Sequence, residues 1–150
     1  MIRVQYEDFD VGAELVALTK GNRAIGGLTS FVGLVRDTAG DDSVSAMTLE
    51  HYPGMTEKHL TAIEEEANRR WPLEASLIIH RHGRLEPGER IVLVACASGH
   101  REAAFEACNF LIDWLKTKAP FWKLEDTAQG ERWVATRDSD DAAAARWTNP

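Results

Sequence analysis

Apolar positions recur with two different periods along this chain, and each change of period marks a new element. Residues Ile2 to Tyr6 alternate like a short strand. Val11, Leu15 and Leu18 follow at helical spacing behind Asp10, whose carboxylate can cap the first turn. The run from Ala24 to Val35 is apolar and β-branched but broken by Gly26, Gly27 and Gly33, which predicts a strand with bulges or close backbone approaches. Arg36 to Ser43 reads as a loop and Val44 to His51 as a strand. Pro53 and Gly54 then turn the chain into a helix of good helix formers from Met55 to Arg70, closed by Trp71 and Pro72.

Leu77 to His82 and Ile91 to Ala97 are strand-like, and the intervening LEPGER, with Pro87 and Gly88, predicts a hairpin between antiparallel neighbours. The strongest helix runs from Glu102 to Lys116: Ala104, Cys108, Leu111 and Leu115 form a stripe that Phe105, Ala107 and Ile112 widen, and Pro120 forbids its continuation. FWKLED and ERWVATR read as extended, and Ser139 is placed to cap a last short helix through Ala142 to Trp147. Strands come in runs with antiparallel turn signals, and helices do not alternate strictly with them. The expected class is therefore α+β. With no internal repeat, low-complexity block or linker, residues 1–150 are expected to form one domain.

Composition narrows the function. The longest apolar run, Ile91 to Ala97, falls far short of the roughly 18 to 20 residues that cross a bilayer, so no membrane span is expected. The first ten residues carry Glu7, Asp8 and Asp10 and lack the basic-then-apolar layout of an export signal, which predicts a cytoplasmic protein. A formal net charge of −7 disfavours nucleic acid as a partner. Cys96 and Cys108 belong to no grouping with zinc-like spacing and read as buried thiols.

Phosphate loops, dinucleotide fingerprints, zinc-protease and nucleophile-elbow motifs are absent. His80 and His82 flank Arg81 on a strand and so share a face, as a metal pair or as hydrogen-bonding histidines at a strand end. His51, beside a turn, suits a structural hydrogen bond. The more informative feature is a set of cations near aromatic or glycine-rich surroundings in an acidic chain: Arg36, His100, Arg101, Lys116, Lys118 and Lys123. His100 and Arg101 open the best helix, where free N–H groups favour an anion, although exposed basic residues also occur at such positions. Lys116 lies in the last turn of that helix and Lys123 follows Phe121 and Trp122, which can desolvate it. A desolvated lysine near other cations has a lowered pKa and suits nucleophilic or acid–base work. Dipole complementation by Lys116 and a packed stem on Lys123 are the structural alternatives.

At ~1.5 Å per residue, His100 and Lys116 stand about 24 Å apart along a straight helix. No small pocket spans that distance. If both ends serve one substrate, the pair at the helix start must come from a second subunit, most simply in a twofold dimer.

Four motifs, FVGLVRD (Phe31 to Asp37), MTLEHYPGMTEKHL (Met47 to Leu60), SGHREAAFEA (Ser98 to Ala107) and LKTKAPFWKLE (Leu115 to Glu125), occur in an order and spacing that resemble the large, catalytic subunits of molybdopterin synthase. The likeness extends from Phe31 to Trp147. It implies an α/β hammerhead-type fold with antiparallel strands and packed helices, and a homodimer carrying one small ubiquitin-like subunit at each far end, a heterotetramer. In that family the small subunit's thiocarboxylated Gly-Gly tail supplies sulfur to cyclic pyranopterin monophosphate, and two transfers create the dithiolene of molybdopterin.

By motif, Lys116 matches the principal catalytic lysine and Lys123 the second lysine beside the entering tail. Arg36, His100 and Arg101 match substrate-binding positions, with Leu34, Val35, Leu124 and Glu125 as neighbouring contacts and Phe31 as a pocket wall. The thiocarboxylate sulfur is already a nucleophile, so the protein must orient and neutralise. The resemblance implies neither metal nor cofactor. Two other readings compete: a dimeric binding module for a carboxylate tail or phosphometabolite, and an unrelated enzyme acting on another phosphorylated small molecule.

Overall fold

The computed structural model describes residues 1–39, 42–134 and 137–148. In chain order the elements are β1 (Ile2–Gln5), α1 (Val11–Thr19), β2 (Gly27–Leu34), β3 (Thr38–Ala39), β4 (Asp42–His51), α2 (Met55–Arg70), β5 (Leu73–Arg81), β6 (Gly83–Leu85), β7 (Arg90–Ser98), α3 (Arg101–Lys118), β8 (Phe121–Thr127), β9 (Gly130–Val134) and α4 (Asp138–Ala145). They build two sheets. One has the order β1-β5-β7-β2, antiparallel except for the parallel pair β1 and β5; the other has the order β3-β4-β8-β9, with β6 also paired to β4. The expected α+β class with antiparallel strands and packed helices is what the chain forms.

The central strands β5 and β7 read as apolar runs because helices cover both faces of their sheet. Ile78, Val94 and Cys96 face α2 and α3, meeting Leu60, Ile63, Phe110 and Leu111. Leu77, Ile79, Leu93 and Ala95 face the other way, against Phe9 and the α1 residues Val11, Leu15 and Leu18. Burying each such side chain contributes about 1.5–3 kcal/mol. As expected, Asp10 caps α1, its carboxylate accepting from the Ala13 N–H at 3.0 Å.

The glycines in and just before β2 serve the close approaches that their spacing suggests. A Cβ at Gly26 would stand 2.1 Å from the Gly99 carbonyl oxygen, and one at Gly33 would stand 2.8 Å from Val92 Cγ1, where the β2–β7 register shifts. β5 and β7 pair antiparallel as predicted, Ile78 opposite Val94. Their connection is more than a turn, because β6 leaves it to pair with β4 and packs Leu85 against Val35 and Leu49. The predicted loop from Arg36 to Ser43 contains β3 and the start of β4, while residues 40 and 41 lie outside the described residues. The last helix begins at Asp138 behind Arg137, so Ser139 lies inside its first turn rather than capping it. Residues 135 and 136 of the stretch read as extended are likewise outside the described residues. Among the described residues, no helix is long and apolar enough to cross a membrane.

Candidate active site

A cavity of about 380 Å³ opens between the end of α3, the strand β2 and the inner face of β4 and β8. Its position follows from a short stretch of chain. α3 ends at Lys118, Ala119 donates back to the Leu115 carbonyl, and Pro120 forces the chain out of the helix into β8. The buried hydroxyl of Thr56 at the start of α2 accepts from the Tyr52 N–H and donates to the Pro120 carbonyl at 3.3 Å, pinning this corner. Lys116 on the last turn of α3 and Lys123 on β8 thereby line the same cavity.

Strand alternation sorts the residues of β8. Phe121, Lys123 and Glu125 line the cavity, whereas Trp122 and Leu124 belong to the opposite face, where Trp122 is exposed and Leu124 stands opposite Trp133 in the ladder. Leu124 therefore does not line the cavity with its side chain, and Phe121, not Trp122, shares that face with Lys123. That lysine is partly buried. Burial first, then the Lys116 and Arg137 charges, hold its pKa below the ordinary lysine value, opposed by Asp140 and Glu125. Lys116 is exposed at the rim.

Arg36 joins the cavity from the end of β2. The preceding Val35 is clamped on both sides, its N–H donating to the Glu89 carbonyl at 2.9 Å and its carbonyl accepting from Gly88 at 2.8 Å. Its side chain is buried against Leu49 and Leu85 and borders a shallower recess with Asp37 and Pro87, while Phe31 and Leu34 form an apolar wall of the main cavity.

Three titratable lining residues carry no signal for this site in the sequence: His80, Arg137 and Asp140. Arg137 and Asp140 arrive through α4, which is docked from its far end. The buried carboxylate of Asp113 on α3 accepts from Arg146 Nη2 at 2.7 Å and from Trp147 Nε1 at 2.6 Å. No local spacing signals that arrangement, since it depends on contacts between α3 and α4. His80 is buried beneath Phe121, their rings stacked at 3.6 Å, whereas the His82 ring lies 4.3 Å from that of His51. The two histidines on either side of Arg81 thus meet different partners, and no group of three potential metal-binding side chains occurs among the described residues.

The cavity brings together four cations, Arg36, Lys116, Lys123 and Arg137, against the carboxylates Glu125 and Asp140. Among the described residues, none of these four cationic side chains has a hydrogen bond or ion pair. Such a set can neutralise phosphate and carboxylate groups that bring the missing partners. His100 and Arg101 are not in this cavity. They stand at the other end of α3, where the Arg101 backbone packs on Gly27, so one chain does not unite the two groups. Cys96 and Cys108 are free, buried between β7 and α3.

Comparison with known proteins places the chain in context. A family model described as MoaE protein matches residues 4–118. The molybdopterin synthase catalytic subunit of Pseudomonas aeruginosa is 62% identical over 146 residues, covering 97% of each chain. The solved structure of the molybdopterin biosynthesis MoaE protein from Burkholderia ambifaria matches with a TM-score of 0.84 at 56% identity, over 98% of this chain and 97% of that one. Molybdopterin synthase from Staphylococcus aureus matches with a TM-score of 0.82 at 29% identity, over 89% of this chain and 96% of that one. Family model, sequence identity and fold agree over most of the chain: it belongs to the MoaE family, that of the molybdopterin synthase catalytic subunits.

Proposed function

We propose that this chain transfers sulfur from the C-terminal thiocarboxylate of a small ubiquitin-like subunit to cyclic pyranopterin monophosphate, forming the dithiolene of molybdopterin as a sulfurtransferase subunit in the cytoplasm. The observation that carries the reading is the convergence of Lys116 and Lys123 with Arg36 in one cavity of an acidic chain. Residues 1–150 act as one catalytic domain.

The tail's thiocarboxylate is the nucleophile, so the cavity has to hold two anions close together and move protons. Arg36 neutralises phosphate charge as the cyclic ester opens. Lys116, exposed at the rim, exchanges a proton with the reacting centre or holds the substrate transiently. Lys123, desolvated by its surroundings, stands beside the entering tail, and Glu125 and the main chain at Leu124 complete that side. Phe31 and Leu34 offer apolar surface to the pterin ring, with Val35 fixing the strand end behind them. His100 and Arg101 complete a cavity of a second copy, which makes the working unit a homodimer and, with two small subunits, a heterotetramer. The separation of the two ends of α3, about 24 Å by the helical rise, supports that arrangement. The reaction asks for no metal and no cofactor.

The deciding experiment incubates the purified chain with cyclic pyranopterin monophosphate, with and without the thiocarboxylated small subunit, and follows dithiolene product by mass spectrometry. Product that depends on thiocarboxylate and collapses in Lys116→Ala is expected. Equal product in the variant would remove Lys116 from the chemistry, and no product from the folded, partner-bound parent chain would favour a binding module.

A further inference from the structure

His80 lines the cavity, yet it is only 4% exposed and takes no part in the proposed reaction. Its surroundings leave little freedom. One ring face is stacked on Phe121, with 3.6 Å between centroids and 16° between planes. Nδ1 lies 2.8 Å from the Arg81 carbonyl oxygen. A carbonyl offers no proton, so Nδ1 must carry the hydrogen and donate it. That fixes the tautomer and leaves Nε2 as a lone-pair acceptor.

Among the described residues, no hydrogen bond reaches Nε2. The groups around the ring are few. On its own strand, the Arg81 guanidinium is committed to the carbonyls of Tyr6 and Arg90, at 2.8 and 2.9 Å. From β4 comes His51, and just beyond β5 comes His82, their rings 4.3 Å apart and tilted by 34°. From β8 comes Lys123. Phe121 and Lys123 alternate onto the same face of that strand, about 6–7 Å apart at the backbone, a distance that a lysine stem folded back toward the Phe121 ring covers. The imidazole is also neutral: burial, together with the Lys123, His51 and His82 charges, pushes its pKa down to about 3, against the Arg81 hydrogen bond. A neutral acceptor with one fixed lone pair therefore lines the same cavity as a partly buried ammonium group, near enough for the Lys123 charge to act on the ring.

We propose that His80 is a positioning residue for Lys123: when the lysine stem folds back toward the Phe121 ring, Nε2 accepts a hydrogen bond from Lys123 Nζ and holds that group at the cavity. The inference rests on the reading of Lys123 as the second catalytic lysine. An acceptor that is tied down on both sides, by Phe121 and by the Arg81 carbonyl, orients a flexible four-carbon side chain that burial alone leaves free to rotate. Being uncharged, it adds no second cation to a cavity already rich in them.

The test separates the hydrogen bond from the activity. In the full-length protein labelled with nitrogen-15 in its histidine rings, NMR is expected to show Nδ1 of His80 as the protonated nitrogen and Nε2 as a hydrogen-bonded acceptor. In Lys123→Met the Nε2 resonance moves toward that of a free imidazole nitrogen while Nδ1 stays in place. A protonated Nε2, or an Nε2 resonance indifferent to Lys123→Met, overturns the proposal whatever the activity. If Nε2 responds as expected but Lys123→Met still forms dithiolene at the parent rate, the hydrogen bond stands and the catalytic reading of Lys123 falls.

Two variants extend the test to function. Asn at position 80 can keep the donor near Nδ1 but has nothing at Nε2, whereas Gln places an oxygen near the Nε2 position. Expected for His80→Asn is a loss of about tenfold in kcat with KM for the pterin little changed, the scale of one hydrogen bond to a charged group. The pH for half-maximal acylation of Lys123 by an amine-reactive ester should fall, because a lost acceptor disfavours the ammonium form. His80→Gln restores both. Equal behaviour of the two variants in kcat and in Lys123 titration refutes positioning through Nε2.

Discussion

Removing the Asp113 carboxylate should undock α4 and, with it, one wall of the cavity. α4 has eight residues and buries only Ala144 of its own, too little for a helix to persist on backbone hydrogen bonds alone. Its anchor is a single carboxylate oxygen, which accepts from Arg146 Nε at 3.2 Å, from Arg146 Nη2 at 2.7 Å and from Trp147 Nε1 at 2.6 Å. Hydrogen bonds to a charged group in a buried setting contribute about 1.5–3 kcal/mol, but the Arg146 side chain is half exposed and water weakens its share. The net loss in Asp113→Ala is then about 2–3 kcal/mol, roughly 30- to 150-fold in the equilibrium between docked and open α4. Hydrogen exchange read by mass spectrometry tests this: peptides covering 138–148 should lose protection by that factor, while α2 serves as an unaffected reference. Asp113→Asn, which keeps an acceptor without the charge, should lose less. Because Arg137 and Asp140 ride on α4, KM for the pterin should rise in parallel. Unchanged exchange over 138–148 in a folded Asp113→Ala protein would refute the anchoring argument.

Three further outcomes follow from the packing and charge described above. Lys123 titrates below the ordinary lysine value of 10.5, so between its folded pKa and 10.5 the unfolded chain binds more protons and stability rises with pH. Lys123→Met should raise Tm at neutral pH, with a gain that shrinks as pH climbs toward 10.5; a gain independent of pH would point to packing instead. Gly26→Ala should destabilise the fold by several kcal/mol in urea titrations, since its Cβ would stand 2.1 Å from a main-chain oxygen that cannot step aside, and a cost of less than about 1 kcal/mol would contradict that geometry. Phe110→Ala should cost about 3–5 kcal/mol, because that ring is fully buried against Trp71, Trp114 and the Arg70 guanidinium; a cost near 1 would mean that the cluster collapses to fill the space.

The elements most legible from the chain are those whose pattern is local. α2 has the predicted bounds, Met55 to Arg70, because a turn and a Trp-Pro pair punctuate it, and α3 exceeds its predicted span by a single residue at its start and two at its end. β3 and β6 escaped because two or three residues carry no period, and their pairing with β4 is settled by distant parts of the chain. The site divides in the same way. Lys116, Lys123 and Arg36 could be read from motifs, and the cavity unites them. His80 could be read only as a histidine on a strand, since its partner Phe121 is 41 positions away in the sequence and on the other sheet. Arg137 gave no local signal because its place depends on Asp113 and Trp147. The separation of His100 and Arg101 from Lys116 is predictable from helical rise alone, whereas the face to which Leu124 points depends on which side of β8 meets the cavity.

α3 links these residues in one more respect, as a measure of length. Its buried stripe sets the rotational phase at which Lys116 reaches the cavity, and Pro120 sets where it stops. One inserted residue would turn Lys116 by about 100° away from Lys123 and advance it by ~1.5 Å; four would nearly restore the phase but displace it by ~6 Å. Sequence change within α3 is thus expected to proceed by substitution, with insertions and deletions confined to the turns on either side.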